Sequence, residues 1–156
     1  MKRCILLVDD DLAVLLTLKA VLELHGFDVE TAGSCAEAFA RLERGVYQMV
    51  ISDLRMETEE AGLEVIRRAR RQAYDPATAL LTAYPPSAEH WKGKQGGGKD
   101  WSVEDSDSLL IKPLGTADLL RQVEALLIRH ADKQLHRRNS VSKGARSHAP
   151  RRMRSR

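Results

Sequence analysis

The stretch MVISDLRMETEEAGLEV, residues 49–65, passes from an apolar run to an aspartate, then through an acidic loop into an amphipathic segment. A short apolar run predicts a strand that is buried on both faces, and the segment after Gly62 has the periodicity of a helix with Leu63 and Ile66 inward. The strand ends on Asp53, so a carboxylate is placed at the edge of the core. The stretch therefore predicts a strand-to-helix unit with a charged group at the carboxyl end of the strand.

The same alternation of strand and helix continues through the rest of the chain. Apolar or alternating runs predict strands at residues 4–8, 27–32, 47–52, 77–82 and 107–111. Helical periodicity with cap residues predicts helices at residues 12–25, 35–44, 62–73 and 116–130. Such alternation favours right-handed crossovers and a parallel sheet covered on both faces. The predicted fold class is α/β, an open doubly wound sandwich.

Charge is distributed unevenly along the chain. Residues 1–131 contain 16 Lys and Arg against 21 Asp and Glu, whereas residues 132–156 contain 9 against 1. This shift predicts a boundary near Asp132, between a globular domain and a basic tail that we expect to be disordered. The tail is either a plain solvated segment or an attachment to an anionic partner such as nucleic acid, a membrane surface or an acidic protein patch.

Several classes of protein are disfavoured by composition and motifs. No run approaches the roughly 20 apolar residues that span a bilayer, and the first apolar segment is too short for a signal peptide, so we expect a cytoplasmic protein without a membrane span. The segment VDDDLA, residues 8–13, lacks the glycines of a dinucleotide-binding turn. Cys4 and Cys35 form no metal-binding spacing, and we interpret both as core-type residues.

Four predicted strands end in polar or charged groups. Ligands of doubly wound sheets bind beyond the carboxyl ends of the strands. Taken singly, an acidic run is often a helix cap and a lysine before proline is often a loop residue. Together they indicate a cation-binding site. Carboxylates about 4 Å apart repel each other by about 4 kcal/mol at an effective dielectric of 20, so a cation is needed among them. The groups at this edge are Asp9, Asp10, Asp11, Asp53, Thr82 and Lys112.

A magnesium ion suits this set, because Mg²⁺ binds a few carboxylates while keeping water and phosphoryl oxygens as ligands. Asp53 is then the candidate nucleophile that attacks phosphorus, with Asp9 and Asp10 holding the metal from the neighbouring strand. Lys112 is the candidate point charge for the phosphoryl oxygens, and the Thr82 hydroxyl is a candidate hydrogen-bond donor to one of them.

The motifs that carry these residues resemble those of the receiver domain of two-component response regulators. The resemblance covers about residues 1–131 and implies a flavodoxin-like fold with five parallel strands in the order 2-1-3-4-5. It also implies a phosphoacceptor that receives its phosphoryl group from a histidine kinase or phosphotransfer protein, signals through protein contacts and turns over no external substrate. The matching motifs, in the family's order, are ILLVDDD (5–11), VISDLRM (50–56), LLTAY (80–84) and LIKPL (110–114).

The resemblance implies a role for each matching residue. Asp10 and Asp53 would be direct Mg²⁺ ligands with Asp9 assisting, and the backbone carbonyl of Arg55 would complete the protein's share. Contacts to the phosphoryl group would come from Thr82, Lys112 and the Ala83 amide. Because nothing after His130 is large or apolar enough to form a second domain, we expect a stand-alone receiver.

The family's phosphodonor docks beside the first helix. In this chain Val14, Thr17 and Val21 form a stripe next to the inward leucines, and we interpret it as the docking strip. A partly buried helix flank explains the same three residues equally well.

Two departures from the family pattern affect the expected output. Leu109 stands where the family has an aromatic residue three positions before the lysine, so that aromatic switch is absent. Residues 83–107 contain Pro85, Pro86 and a triple glycine, which cannot sustain the usual fourth helix, so we expect a degenerate helix or a long loop. Trp91 and Trp101 in this segment either pack onto the sheet or contact a partner.

Two other functions remain open at this point. A pseudo-receiver scaffold would bind partners or nucleic acid through the 83–107 segment and the tail without being phosphorylated, which the absent switch favours. A phosphatase with an aspartate nucleophile would need a general acid two residues after Asp53. That position is Arg55, so the phosphatase ranks last.

Overall fold

The structure is a computed structural model that describes residues 2–83, 106–112 and 114–145. Every strand and helix that the sequence predicted is present, with small shifts at the ends of most. In chain order the elements are β1 (Cys4–Val8), α1 (Leu12–Leu24), β2 (Asp28–Ala32), α2 (Cys35–Arg44), β3 (Met49–Asp53), α3 (Ala61–Arg70), β4 (Ala77–Thr82), β5 (Ser108–Ile111) and α4 (Thr116–Ala145).

The five strands form one parallel sheet in the order β2-β1-β3-β4-β5, which confirms the predicted flavodoxin-like order. All residues of β3 and β4 are buried, as expected for central strands that are covered on both faces. The edge strand β2 contains exposed, half-buried and buried residues. The apolar pattern of each strand therefore matches its position in the sheet.

The helices cover the two faces of the sheet and close two separate cores. Ile5 and Leu7 of β1 belong to the core under α1 and α4, whereas Leu6 and Val8 belong to the core under α2 and α3. The split follows from the pleat of the strand, because successive side chains point to opposite faces. Burying both faces of the central strands fixes which strand ends meet at the rim.

The junction between β3 and α3 depends on a glycine. The Gly62 amide donates a hydrogen bond to the Leu54 carbonyl at 2.9 Å, which holds the start of α3 against the end of β3. A Cβ atom at this position would lie 1.9 Å from the carbonyl oxygen of Asp53 and 2.7 Å from the Leu54 Cα. Only glycine allows the backbones to approach this closely.

The closing helix is longer than the sequence predicted. Because α4 continues to Ala145, the expected end at His130 and the expected disorder of residues 132–145 are wrong. The apolar periodicity does stop near residue 130, but a helix already packed on the sheet continues without a new nucleation step. Its polar side chains also find partners, since His130 Nε2 and Gln134 Nε2 lie 2.7 and 3.1 Å from the Asp75 carbonyl oxygen.

Several expectations concern residues outside the described ranges. The first is the loop or degenerate helix in place of the family's fourth helix, of which residues 84–105 are not described. The others are the tryptophans Trp91 and Trp101 and the last part of the tail, residues 146–156. Within the described ranges, no helix combines the length and apolarity needed to cross a membrane.

Candidate functional site

Three carboxylates meet where β1 and β3 end. The two strands are direct neighbours, with Val8 paired to Ser52, so the residues that follow each pair lie at the same rim. Asp9, Asp10 and Asp53 each offer one carboxylate oxygen, and these oxygens lie within 4.8 Å of one another. Asp9 and Asp53 are buried and Asp10 is exposed. Hard oxygen donors this close together, with one side open to water, fit the ligand preferences of Mg²⁺.

The Asp9 carboxylate is held from two directions. Lys112 Nζ lies 2.8 Å from Asp9 Oδ2, and the Asp11 amide donates a hydrogen bond to Asp9 Oδ1 at 2.9 Å. The Asp11 side chain turns away from the rim and caps α1, where it accepts a hydrogen bond from the Ala13 amide at 2.9 Å. Only two residues of the acidic run therefore face the site, and the third begins the helix.

Lys112 connects the two buried carboxylates. Its Nζ lies 3.5 Å from Asp53 Oδ1, in addition to the 2.8 Å contact with Asp9. The Lys112 amide donates to the Thr82 carbonyl at 2.8 Å, which extends the pairing of β4 and β5 and places the side chain at the rim. Burial lowers the pKa of Lys112, but the hydrogen bond from its ammonium to Asp9 and the negative charges of Asp53 and Asp9 outweigh burial and raise the pKa. The side chain is therefore a cation at neutral pH.

Asp53 is poorly stabilised in its charged form. Burial first, and then the negative charge of Asp9, raise the pKa of Asp53 to about 6, although Lys112 lowers it. Asp10 adds a further repulsive contribution. One ammonium among three carboxylates leaves an excess of negative charge, so the site favours binding of an additional cation.

Thr82 ends the strand next to Asp53, and Arg55 follows Asp53 by two residues in the chain. Asp53 pairs with Leu81 across the β3 and β4 ladder, so Thr82, the next residue of β4, lies at the same rim and is buried. The Leu54 amide donates to the Leu81 carbonyl at 2.9 Å, which keeps the chain beside β4 as it leaves the strand toward Arg55. The structure thus brings the predicted phosphoryl contact to the site, while the role of the Arg55 carbonyl remains a prediction.

Leu109 occupies the position where the family pattern has an aromatic residue. It lies in β5 opposite Leu80 of β4 and is half-buried against the core under α2 and α3. A leucine there packs as an ordinary core residue.

The predicted docking strip is divided between two environments. Val14 and Thr17 line an apolar groove of about 330 Å³ between α1 and the sheet, and Lys112 lies at the same groove. Val21 does not line the groove and is partly buried against the core. Leu81 and Leu110 form the floor of this groove, which no sequence pattern indicated. Both leucines lie in predicted strands, and that pattern predicted their burial but no groove.

Comparison with known proteins identifies the family. Residues 5–124 match the family model described as response regulator receiver domain. Among curated proteins, the alginate biosynthesis transcriptional regulatory protein AlgB of Pseudomonas aeruginosa is 35% identical over 127 residues, which cover 78% of this chain and 28% of AlgB. The CpxR homolog of Haemophilus influenzae is 33% identical over 127 residues, 81% of this chain and 51% of that protein. The chain thus spans about a quarter to a half of the length of these relatives.

Solved structures show the same fold. A CheY-like receiver domain protein from Methanospirillum hungatei has a TM-score of 0.71 at 23% identity, covering 85% of this chain and 99% of that chain. The response regulator TrrA from Thermotoga maritima, solved in complex with Mg(2+)-BeF, has a TM-score of 0.64 at 31% identity, covering 80% of this chain and 98% of that chain.

Proposed function

Because the chain belongs to the response regulator receiver domain family, we propose that Asp53 accepts a phosphoryl group from a histidine kinase or phosphotransfer protein. One observation carries the proposal: Asp9, Asp10 and Asp53 place carboxylate oxygens within 4.8 Å of one another, and Lys112 contacts both buried members. TrrA, a similar protein, was solved in complex with Mg(2+)-BeF, which supports a magnesium site in this chain. The output is a contact with another protein.

The donor set fits Mg²⁺, with Asp10 and Asp53 as direct ligands, Asp9 assisting and the Arg55 carbonyl as the remaining protein ligand. When bound, the ion neutralises carboxylate repulsion and the charge of the phosphoryl oxygens. The raised pKa of Asp53 supports this assignment, since a group with this excess of negative charge gains from a cation.

The transfer step uses groups of this chain. An ionised oxygen of Asp53 attacks phosphorus, and the bond from phosphorus to the donor atom breaks, so the donor leaves with the electron pair. The Lys112 ammonium offsets charge on the phosphoryl oxygens, and the Thr82 hydroxyl donates a hydrogen bond to one of them. The Lys112 contacts with both carboxylates keep Asp53 beside that ammonium.

Incubation with acetyl phosphate and Mg²⁺, followed by intact mass measurement, tests the phosphoacceptor. We expect one phosphate adduct on the wild type and none on Asp53→Asn or on wild type treated with a chelator. Asp28→Asn, which removes an exposed acid on β2, is the matched control and should form the adduct normally. An adduct that persists on Asp53→Asn would contradict the assignment.

For the phosphodonor, we propose that Val14, Thr17 and Val21 form the docking strip. Val14 and Thr17 support this role, because they line an apolar groove that leads to Lys112. Val14→Lys should slow transfer from a cognate kinase about tenfold, the loss expected for about 1.4 kcal/mol, while acetyl phosphate still labels Asp53. Leu24→Lys, at an exposed position on the same helix, is the control. Equal slowing with both donors would refute docking at this strip.

The scaffold is the second candidate, and Leu109 is the observation that favours it. A receiver without the aromatic switch could bind partners in one state only. The same mass experiment separates the two candidates, since an unlabelled wild type would support the scaffold. Turnover of a chromogenic phosphate ester by the wild type, lost in Asp53→Asn, would instead revive the phosphatase.

A further inference from the structure

The second half of α4 carries positive charge that the phosphoacceptor site does not use. Residues 132–156 contain 9 Lys and Arg against one acid, and the part of this segment up to Ala145 is helical. From Arg129 onward, the described basic side chains that are exposed on α4 are Arg129, Lys133, His136, Arg137 and Arg138.

Three of these cations form a row along one side of the helix. Arg129, Lys133 and Arg137 are four residues apart, a spacing that places side chains on the same face. Together with Asp132 and His136 they line a surface groove of about 470 Å³. The row extends over about 12 Å of helix axis at 1.5 Å per residue. One strand of duplex DNA presents a phosphate about every 3.4 Å along its axis, so the row can face several phosphates at once.

Side-chain contacts hold the helix that carries this row against the turn before β4. His130 is mostly buried, and its Nε2 lies 2.7 Å from the Asp75 carbonyl oxygen, in the turn before β4. Gln134 Nε2 donates to the same carbonyl at 3.1 Å and to Asp75 Oδ2 at 3.2 Å. These contacts fix the rotation of α4 about its axis, so the cations are presented on a held surface.

Two cations of the row have acidic neighbours. Lys133 Nζ lies 3.9 Å from Asp107 Oδ1, and an Arg137 guanidinium nitrogen lies 3.4 Å from Asp75 Oδ2. Both basic side chains are more than half exposed, so each can turn toward a phosphate in solvent. The acids are less exposed and keep other partners, the Thr78 amide for Asp107 and the Gln134 side chain for Asp75. Arg129 is exposed and has no acidic partner within the part of the chain that the structure describes.

We propose that this row, Arg129, Lys133 and Arg137, binds the phosphate backbone of duplex DNA without reading its sequence. The globular part of the chain, residues 1–131, has five more acids than bases and repels a polyanion. DNA is therefore directed to the second half of α4. A membrane surface fits less well, because the exposed large apolar residues here, Ile128, Leu135 and Val141, are too few to form an inserting face.

Fluorescence anisotropy with a labelled duplex of random sequence tests the proposal on the full chain. Arg129→Gln with Lys133→Gln removes two cations of the row, and Lys2→Gln with Arg121→Gln removes two exposed cations elsewhere, so net charge is matched. We expect the row variant to bind at least tenfold more weakly at about 50 mM salt. We also expect the slope of log K against log salt to become shallower by about 2, since each lost phosphate contact changes it by about 0.9.

Three results would overturn the proposal. The wild type could fail to bind the duplex at low salt. The two double variants could lose affinity equally, which would reduce the effect to net charge or to residues 146–156. Anionic lipid vesicles could compete with the duplex at equal phosphate concentration, which would indicate a membrane surface instead. Circular dichroism of both variants checks that α4 is retained.

Discussion

Asp9, Asp10 and Asp11 are consecutive, and each has a different task because of its local geometry. Asp9 is buried and pairs with Lys112, Asp10 is exposed beside it, and Asp11 caps α1. A run of three acids at the end of a strand thus combines a structural cap with two candidate metal ligands. At the scale of single residues, the properties of the site depend on which oxygen faces which neighbour, and Asp53 shows this most clearly.

Asp53→Asn should stabilise the protein at neutral pH in the absence of Mg²⁺. The folded-state pKa of Asp53 is about 6 against 3.8 for the ordinary group, so the unfolded chain loses this proton first as pH rises. This group's contribution to stability is therefore greatest below about pH 4 and falls as pH rises to about 6. Asparagine has no such loss. The variant should gain about 3 kcal/mol at pH 7, since one pKa unit corresponds to about 1.4 kcal/mol, and only about 0.5 kcal/mol at pH 4, in urea unfolding.

Asp28→Asn controls for the loss of an acid on the surface, since Asp28 is exposed at the edge of the sheet. If the wild type is instead more stable than Asp53→Asn at neutral pH without metal, attraction to Lys112 stabilises the Asp53 carboxylate more than burial and the charges of Asp9 and Asp10 destabilise it.

Gly62→Ala should destabilise the protein by about 3 kcal/mol, the upper range for an added methyl group in a packed site. The new Cβ would meet the Asp53 carbonyl oxygen at 1.9 Å, and neither backbone can move without shifting Asp53. Labelling by acetyl phosphate should slow as well. The control is Gly33→Ala, whose Cβ would only reach Glu37 Oε2 at 3.7 Å. Equal urea midpoints for the two variants would contradict the close approach.

At the scale of elements, α4 is the informative case, because its two halves are held by different forces. The first half buries Leu119, Val123, Leu126 and Leu127 against the sheet. The second half is held by polar contacts to Asp75 in the turn before β4, where Asp75 has a positive φ of 44°. A helix that changes from apolar packing to polar anchoring should open from its second half first.

Gln134→Ala should loosen only the second half of α4. It removes two hydrogen bonds to Asp75, which together stabilise this half by about 1 kcal/mol. The amides of residues 131–142 should therefore exchange about fivefold faster. Amides of residues 119–127 should be unchanged, because their packing is untouched. Asn139→Ala, at an exposed position further along the helix, serves as the control. Uniform acceleration over all of α4 would show that the two halves open together.

At the scale of the whole molecule, charge is segregated between the two ends of the protein. The rim at the carboxyl ends of the strands gathers three carboxylates with one lysine, whereas the second half of α4 is cationic. The site and the cationic row therefore favour ligands of opposite sign. Binding of either ligand to the folded state alone adds to stability by mass action.

Mg²⁺ should stabilise the wild type in thermal unfolding, by about 2.7 kcal/mol at one hundred times its Kd. Asp10→Asn should require a higher concentration for the same shift, because it removes a proposed ligand at the exposed side of the site. Asp28→Asn should respond like the wild type. If Asp10→Asn also responds like the wild type, the metal does not bind at this cluster.

The sequence by itself determined the order of the elements and the groups that end the strands at one rim, whereas the strand order was expected only from the resemblance to receiver domains. The first two features follow from local apolar periodicity and from the fact that parallel strands end at one edge, so Asp53, Asp9 and Lys112 could be placed together without coordinates. Only the tertiary structure decided how α4 continues, that Lys112 contacts both carboxylates, and that burial raises the pKa of Asp53. Each of these depends on distances between residues remote in the chain, such as Asp75 and Gln134, and no local pattern encodes such distances.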